Sequence, residues 1–312
     1  MIVALAGGVG GARLVRGLAA VLPPEQLLVV VNVGDDFDHL GLRICPDLDT
    51  VTYTLAGLDN PTLGWGRADE TWQFMETLEA LGGETWFRLG DRDLALHVLR
   101  TRQLAAGAPL SEVTAGLLRR FGLVHRIIPV SDDRISTVVL TADGELEFQR
   151  YFVRERCTPV ATGFRYEGAR QARPAPALAA AIAAGEIEGV VICPSNPYLS
   201  IDPLLAIPAL ARLIDAVPTV AVSPILGGAA VKGPAAKLMR ELGRRVDALG
   251  VVEHYGSRVD GWVIDTVDAA LAAPIEARGA RVCTTATLMT SPAVSAALAA
   301  EALALLRSLR RA

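Results

Sequence analysis

No CxxC pair occurs among Cys45, Cys157, Cys193 and Cys283, so neither a cysteine-rich zinc site nor a disulfide scaffold is indicated. Scattered thiols of this kind, mostly packed and reduced, predict a cytoplasmic protein. No apolar run approaches the roughly 18 residues of a membrane span, and the opening MIVALAGGVGG lacks the basic segment of a signal peptide. Strong positive charge is also missing. A formal net charge of −4 gives no broad footprint for nucleic acid, so small anions would need local sites. His39, His97, His125 and His254 are isolated, with no HxxxH or Ser/His/Asp pattern, and are expected to be structural. What the chain does have is apolar residues, 51% of a total of 312, against 21% charged. That is enough to bury a large core, as one large domain or as a core with an inserted subdomain.

The order of patterns points to an α/β fold. Ile2–Ala6 is a short apolar run ending in glycines, Ala12–Val21 has helical spacing, and Leu27–Val31 is a second β-rich run ending in acids. Strand, glycine loop, helix, strand is the opening of a parallel βαβ unit. The spacing predicts helices over 69–81, 91–105 and 110–121, a helix-rich block between about residues 58 and 125 that reads as an insertion or cap. Strands follow at 127–130, 138–141 and 145–152, with Asp143-Gly144 as a hairpin turn between the last two. The α/β rhythm then resumes, with strands at 189–193, 219–222 and 261–265 and a closing helix over 293–309.

In an open parallel sheet, ligands bind beyond the carboxyl ends of the strands, and the polar loops here follow predicted strands. Gly7-Gly8-Val9-Gly10-Gly11 can bring backbone N–H groups to a phosphate at a helix start. It is not a complete dinucleotide fingerprint, because Arg13 stands where the third glycine belongs, and there is no Gly-Lys-Ser/Thr. That weakens an NAD(P)-dependent oxidoreductase as the reading. Asp35, Asp36 and Asp38 form an acidic loop, and Asp47 and Asp49 follow in Pro46-Asp47-Leu48-Asp49-Thr50. Asp47 and Asp49 share one side if the segment is extended; alternatively, Pro46 opens a helix and the acids sit in its first turn. Hard oxygen ligands with no His or Cys companion in the pattern favour Mg²⁺ or Mn²⁺ over Zn²⁺. Arg88-Leu89-Gly90-Asp91 reads either as a pocket arginine with a nearby acid or as a surface turn with Asp91 as helix cap. Ser195 and Asn196 in PSNP can read a base edge, and Lys232 before Gly233-Pro234 can hold a phosphate.

Taken together, GGVGGARL, VNVGDD, GLRICPDLDTVTYTLAG, GWGRADETW, LGDRDLALH, PSNPYLSI, SPILGG, KGPAAKLM and TLMTSP resemble the CofD/FbiA family, the 2-phospho-L-lactate transferases of coenzyme F-420 biosynthesis. The motifs keep the family's order over nearly the whole chain, so residues 1–312 are expected to form one domain of the family type. The resemblance implies a Rossmann-like core, a mostly parallel sheet with helices on both faces. It implies transfer of a 2-phospholactyl or phosphoenolpyruvyl group from a guanosine-diphosphate-linked donor to the deazaflavin Fo (7,8-didemethyl-8-hydroxy-5-deazariboflavin), with GMP released. It also implies Mg²⁺ and a homodimer. By motif, Asp35 and Asp49 are implied as catalytic and metal-holding acids, and Asp49, Arg88 and Asp91 as contacts to Fo. Gly8, Gly10, Gly11, Ser195, Asn196 and Lys232 are the expected nucleotide and phosphate contacts. GGVGGARL is closer to the bacterial form, where the enolpyruvyl donor is used. The competing reading is a non-catalytic nucleotide-sugar-binding regulator of the same superfamily; the PDLDT and LGDRD acids argue against it.

Overall fold

The computed structural model describes residues 1–61 and 65–309. In chain order the strands are β1 (Ile2–Ala6), β2 (Leu27–Val31), β3 (Phe37–His39), β4 (Leu42–Ile44), β5 (Arg126–Pro129), β6 (Ser136–Thr141) and β7 (Gly144–Glu147). They continue with β8 (Ala161–Glu167), β9 (Gly189–Ile192), β10 (Thr219–Val222), β11 (Ile225–Leu226), β12 (Ala229–Ala230), β13 (Gly261–Asp265) and β14 (Arg281–Thr285). Seven of them make one parallel sheet in the order β14-β13-β10-β9-β1-β2-β5. Every residue of β1, β2, β9, β10 and β13 is buried. Successive side chains point to opposite faces, so both faces of the sheet are covered, which is why these strands read as continuous apolar runs.

The chain grows from β1 through β2 to β5 on one side, then returns to lay β9, β10, β13 and β14 on the other. The order therefore reverses between β1 and β9. A crevice opens at such a point, outside the carboxyl ends of the two strands. Helix α1 (Gly8–Val21) leaves the end of β1 and packs against α2 (Pro46–Ala56) and the closing helix Pro292–Leu309. By length and composition that closing helix could cross a membrane, but it packs on α1 and on four sheet strands. Its buried side, Leu298, Ala299, Ala302, Leu303 and Leu306, is that of a core helix.

Between α2 and β5 lie α3 (Gln73–Ala80), α4 (Asp91–Ala105) and α5 (Leu110–Arg120). They gather two small apolar clusters separate from the main core, one around Phe37, Ile44, Met75 and Leu89, the other around Tyr53, Leu96, Val113 and Leu117. The predicted helix over 69–81 begins later, at Gln73. The segment 145–152 departs further from expectation. Only Gly144–Glu147 is strand, and residues 150–154 coil into a single wide turn. The coil brings Phe148, Gln149 and Phe152 to the mouth of the crevice. Strands β8 and β14 and the hairpin β3–β4 were not read from the sequence; their burial patterns are too short or too irregular to show a period.

Candidate active site

A cavity of about 580 Å³ lies over the β1/β9 reversal. Its floor is the glycine loop. Gly8 has φ +62°, a left-handed conformation that glycine adopts without strain and that starts α1 immediately after β1. Gly10 must lack a side chain, because a Cβ there would sit 2.3 Å from the Pro194 carbonyl oxygen. The loop after β9 is thereby pressed onto the loop after β1. Ser195 locks the two together: its Oγ accepts from the Gly7 N–H at 3.1 Å and donates to the Gly7 carbonyl at 2.8 Å. Gly8, Gly10, Ser195 and Asn196 all line the cavity. Gly11 does not; it packs against Ser195, where a Cβ would lie 2.6 Å from the hydroxyl, so its part is structural.

Asn196 caps the turn that follows. Its Oδ1 accepts from Tyr198 N–H at 3.1 Å and Leu199 N–H at 3.3 Å, while its buried Nδ2 finds no partner among the described residues. A buried amide donor left open on a cavity wall suits a ligand oxygen. Lys232 lines the opposite wall beside the short helix Ala235–Glu241.

The acidic half of the site differs from expectation. Pro46–Ala56 is a helix, so Asp47 and Asp49, two residues apart, point to different sides. Asp47 lines the cavity with Asp35; Asp49 does not. Both Asp49 oxygens are held by the Arg100 guanidinium of α4, Oδ2 at 3.0 Å from Nη1 and Oδ1 by Nη2. His97 and Asp93 complete that cluster, with the ligand atoms of Asp49, Asp93 and His97 within 4.8 Å of one another. The histidine companion that sequence spacing did not reveal is thus supplied by tertiary packing. Arg100 already neutralises this group, and Asp49 is replaced by Asp47 as the acid that the structure brings to Asp35.

Asn32, at the end of β2, joins the pair. Its Nδ2 donates to Asp35 Oδ1 at 2.6 Å and to Asp47 Oδ2 at 3.0 Å. The other Asp47 oxygen accepts the Gly8 N–H at 2.6 Å. Burial raises the Asp35 carboxyl well above its ordinary value, and the neighbouring Asp47 and Asp36 charges add to it. Burial also pushes Asp47 up to about 6, against the opposing hydrogen bonds from Asn32 and Gly8. Asp36 is buried beside them and pushed up to about 7 for the same first reason, with Arg43 Nη2 3.8 Å away.

The helical block forms the remaining wall. Arg88 and Phe87 line it, joined by Trp65. Asp91 does not reach the cavity. Its carboxylate accepts from Gln73 N–H and Phe74 N–H, each at 3.1 Å, and so caps α3 rather than contacting a ligand.

Residues that the sequence reading passed over complete the site. Arg13 lines the cavity and donates from Nη1 to the Met289 carbonyl at 3.2 Å. Thr287 is fixed by Asp265, which accepts its N–H at 2.7 Å and its hydroxyl at 3.0 Å. The signal for Asp47 was the helical period of PDLDTVTYTLA; Thr287 opens the TLMTSP segment but drew no role there, because its place on the cavity is set by β13 and β14.

The profile of the CofD family, described as 2-phospho-L-lactate transferase CofD, matches residues 2–288. This chain belongs to the CofD family. It is accordingly a transferase. Similar proteins called phosphoenolpyruvate transferase occur in Streptomyces avermitilis, 47% identical with 99% of each chain covered, and in Streptomyces coelicolor, 46% identical with 100% of this chain and 99% of that one. One from Mycolicibacterium smegmatis is 39% identical over 95% of this chain and 96% of its own. A solved member of the UPF0052 family from Bacillus halodurans superposes with a TM-score of 0.61 at 14% identity, covering 97% of this chain and 98% of that one. At that identity the likeness concerns the fold alone.

Proposed function

We propose that this enzyme transfers a phosphoenolpyruvyl group from enolpyruvyl-2-diphospho-5'-guanosine to the deazaflavin Fo, giving dehydro-F-420-0 and GMP. Membership in the CofD family supports a role in coenzyme F-420 biosynthesis. The names of the Streptomyces relatives and the GGVGGARL loop favour the enolpyruvyl donor over the lactyl one. The observation that carries the reading is the meeting of a glycine loop, an open Asn196 amide and a pair of buried acids in one cavity.

In this proposal the ribityl hydroxyl oxygen of Fo attacks the phosphorus that bears the enolpyruvyl group. A new P–O bond forms, the bond to the GMP phosphate oxygen breaks, and the hydroxyl proton is released. Such a transition state asks mainly for positioning and charge neutralisation. The first N–H groups of α1, Lys232 and Arg13 face the diphosphate, and Asn196 meets the nucleotide.

Mg²⁺ fits the acidic pair. Asp35 and Asp47 are buried and share the Asn32 amide donor, and the Asp47 charge adds to burial in raising the Asp35 carboxyl. Two carboxylates with only oxygen ligands suit a cation that also takes substrate phosphate oxygens. When bound there it would neutralise charge on the diphosphate. We extend the proposal to a cytoplasmic homodimer, on the family resemblance.

Mass spectrometry of the product formed from Fo with each donor tests the reaction. A mass for dehydro-F-420-0 with the enolpyruvyl donor is expected. Product only from the lactyl donor would reassign the acyl group, and Fo binding with no product from either would favour a regulator. Exhaustive chelation is expected to stop turnover and Mg²⁺ to restore it.

A further inference from the structure

Arg88 stands on the cavity wall in an unusual way. It makes no hydrogen bond or ion pair among the described residues, yet it is not loose: its Cζ lies 4.6 Å from the centroid of the Trp72 ring. The guanidinium carbon sits over the indole ring, and its N–H groups are not spent on hydrogen bonds or ion pairs to the described residues. Trp72 itself does not line the cavity. It is half-buried, packed with the apolar cluster of Phe37, Met75 and Leu89.

Trp72 is held in turn by a reciprocal pair of caps. The Asp91 carboxylate accepts the N–H groups of Gln73 and Phe74 at the start of α3, together with the Thr71 hydroxyl. The Glu70 carboxylate accepts the N–H groups of Arg92 and Asp93 at the start of α4, at 2.7 and 2.9 Å. The Asp91 N–H closes the joint on the Thr71 carbonyl at 3.0 Å. Each helix start is thus satisfied by an acid from the other segment, and the residues between the caps are fixed relative to Arg88.

We infer that Trp72 is a positioning residue for the acceptor: it presses the Arg88 guanidinium into a fixed plane whose N–H edge meets the carbonyl edge of a flat heterocycle, and the Glu70/Asp91 caps hold it there. This rests on the reading that Arg88 meets the acceptor. A guanidinium fork loses little entropy per bond when its plane is set beforehand, and an indole face sets that plane.

The test compares Trp72→Met, which keeps apolar bulk without a ring, with Trp72→Phe, which keeps a ring face, and with Arg88→Ala. KM for Fo and for the guanosine donor, kcat, and Fo binding by its own fluorescence are measured, with thermal melting to verify folding. Trp72→Met is expected to raise KM and Kd for Fo about fivefold, with donor KM and kcat unchanged, and Trp72→Phe to recover most of the loss. Equal damage by Met and Phe, a parallel change in both substrates' KM, or no change would overturn the positioning role. The underlying reading fails separately: Arg88→Ala that leaves Fo binding intact removes Arg88 from the acceptor site whatever Trp72 does. If Trp72→Met melts early, the Phe variant alone decides, since a normal melt with weakened Fo binding would overturn the ring-face argument.

Discussion

The two walls of the cavity are built on different principles. On the sheet side, loops after β1, β2 and β9 meet through backbone contacts, with Gly10 pressed on Pro194 and Ser195 tied to Gly7 in both directions. The charged groups there, Asp35 and Asp47, are buried. On the helical side, Arg88 and Asp91 are exposed or partly so, and the wall is held by side chains capping helix starts. A backbone-built wall tolerates no added atom and places charge where water cannot screen it. A cap-built wall loses one hydrogen bond at a time. The first suits transition-state chemistry and the second suits recognition of a bulky acceptor.

The sharpest way to test this division concerns two acids on one helix. Asp49→Ala is expected to destabilise the fold by about 3–5 kcal/mol, because it leaves Arg100 buried without its partner. Chemical denaturation measures it; a stable Asp49→Ala protein with no activity would return Asp49 to the catalytic side of the comparison. Asp47→Asn is expected to do the converse. It should keep the fold and lower kcat about 10³-fold, or about 4 kcal/mol in the barrier. Steady-state kinetics beside a melting curve separates the two, and near-normal kcat would break the assignment of chemistry to the sheet side.

A third expectation follows from the raised carboxyls. Asp35, Asp36 and Asp47 hold protons in the folded chain to higher pH than in the unfolded one. The folded state therefore binds more protons from about pH 4 upward, and stability falls as pH rises through the region of about 6 to 7. Melting of metal-free protein should drop by several degrees from pH 5 to pH 8, and Mg²⁺ should restore most of the loss at pH 8. A melting temperature flat with pH would mean that these carboxyls are compensated. The smallest effect belongs to the cap-built wall. Asp91→Ala is expected to lower the melting temperature only slightly, with kcat preserved. A collapse of kcat in that variant would show that the helical wall takes part in chemistry.

The parallel sheet was legible because its strands are buried on both faces and read as short apolar runs closed by polar loops, as in Ile2–Ala6 and Leu27–Val31. Gly8, Gly10, Ser195 and Asn196 were legible for the same reason, since strand ends predict where loops gather. Asp47 and Asp49 were harder. PDLDT is too short to reveal its period, and whether both acids share a side depends wholly on helix or strand. Arg100 lies 51 residues from its partner Asp49, and nothing local announces the pairing. Asp91 looked like a ligand contact and like a cap at once; only the fold shows that Gln73 and Phe74 need its carboxylate.

The Gly8–Asp47 hydrogen bond makes the site its own competitor. A carboxylate tethered by α2 already occupies an N–H that an incoming phosphate would want, and an attached rival acts at a high effective concentration. A phosphate taking that N–H would have to displace it. A Mg²⁺ held by Asp35 and Asp47, as proposed, would draw Asp47 away and free that N–H, and cation and phosphate would then strengthen each other's binding. Linkage makes that strengthening equal in both directions: whatever factor the cation adds to diphosphate affinity, the diphosphate adds to the cation's. Neither ligand alone would then grip the site as firmly as the two together.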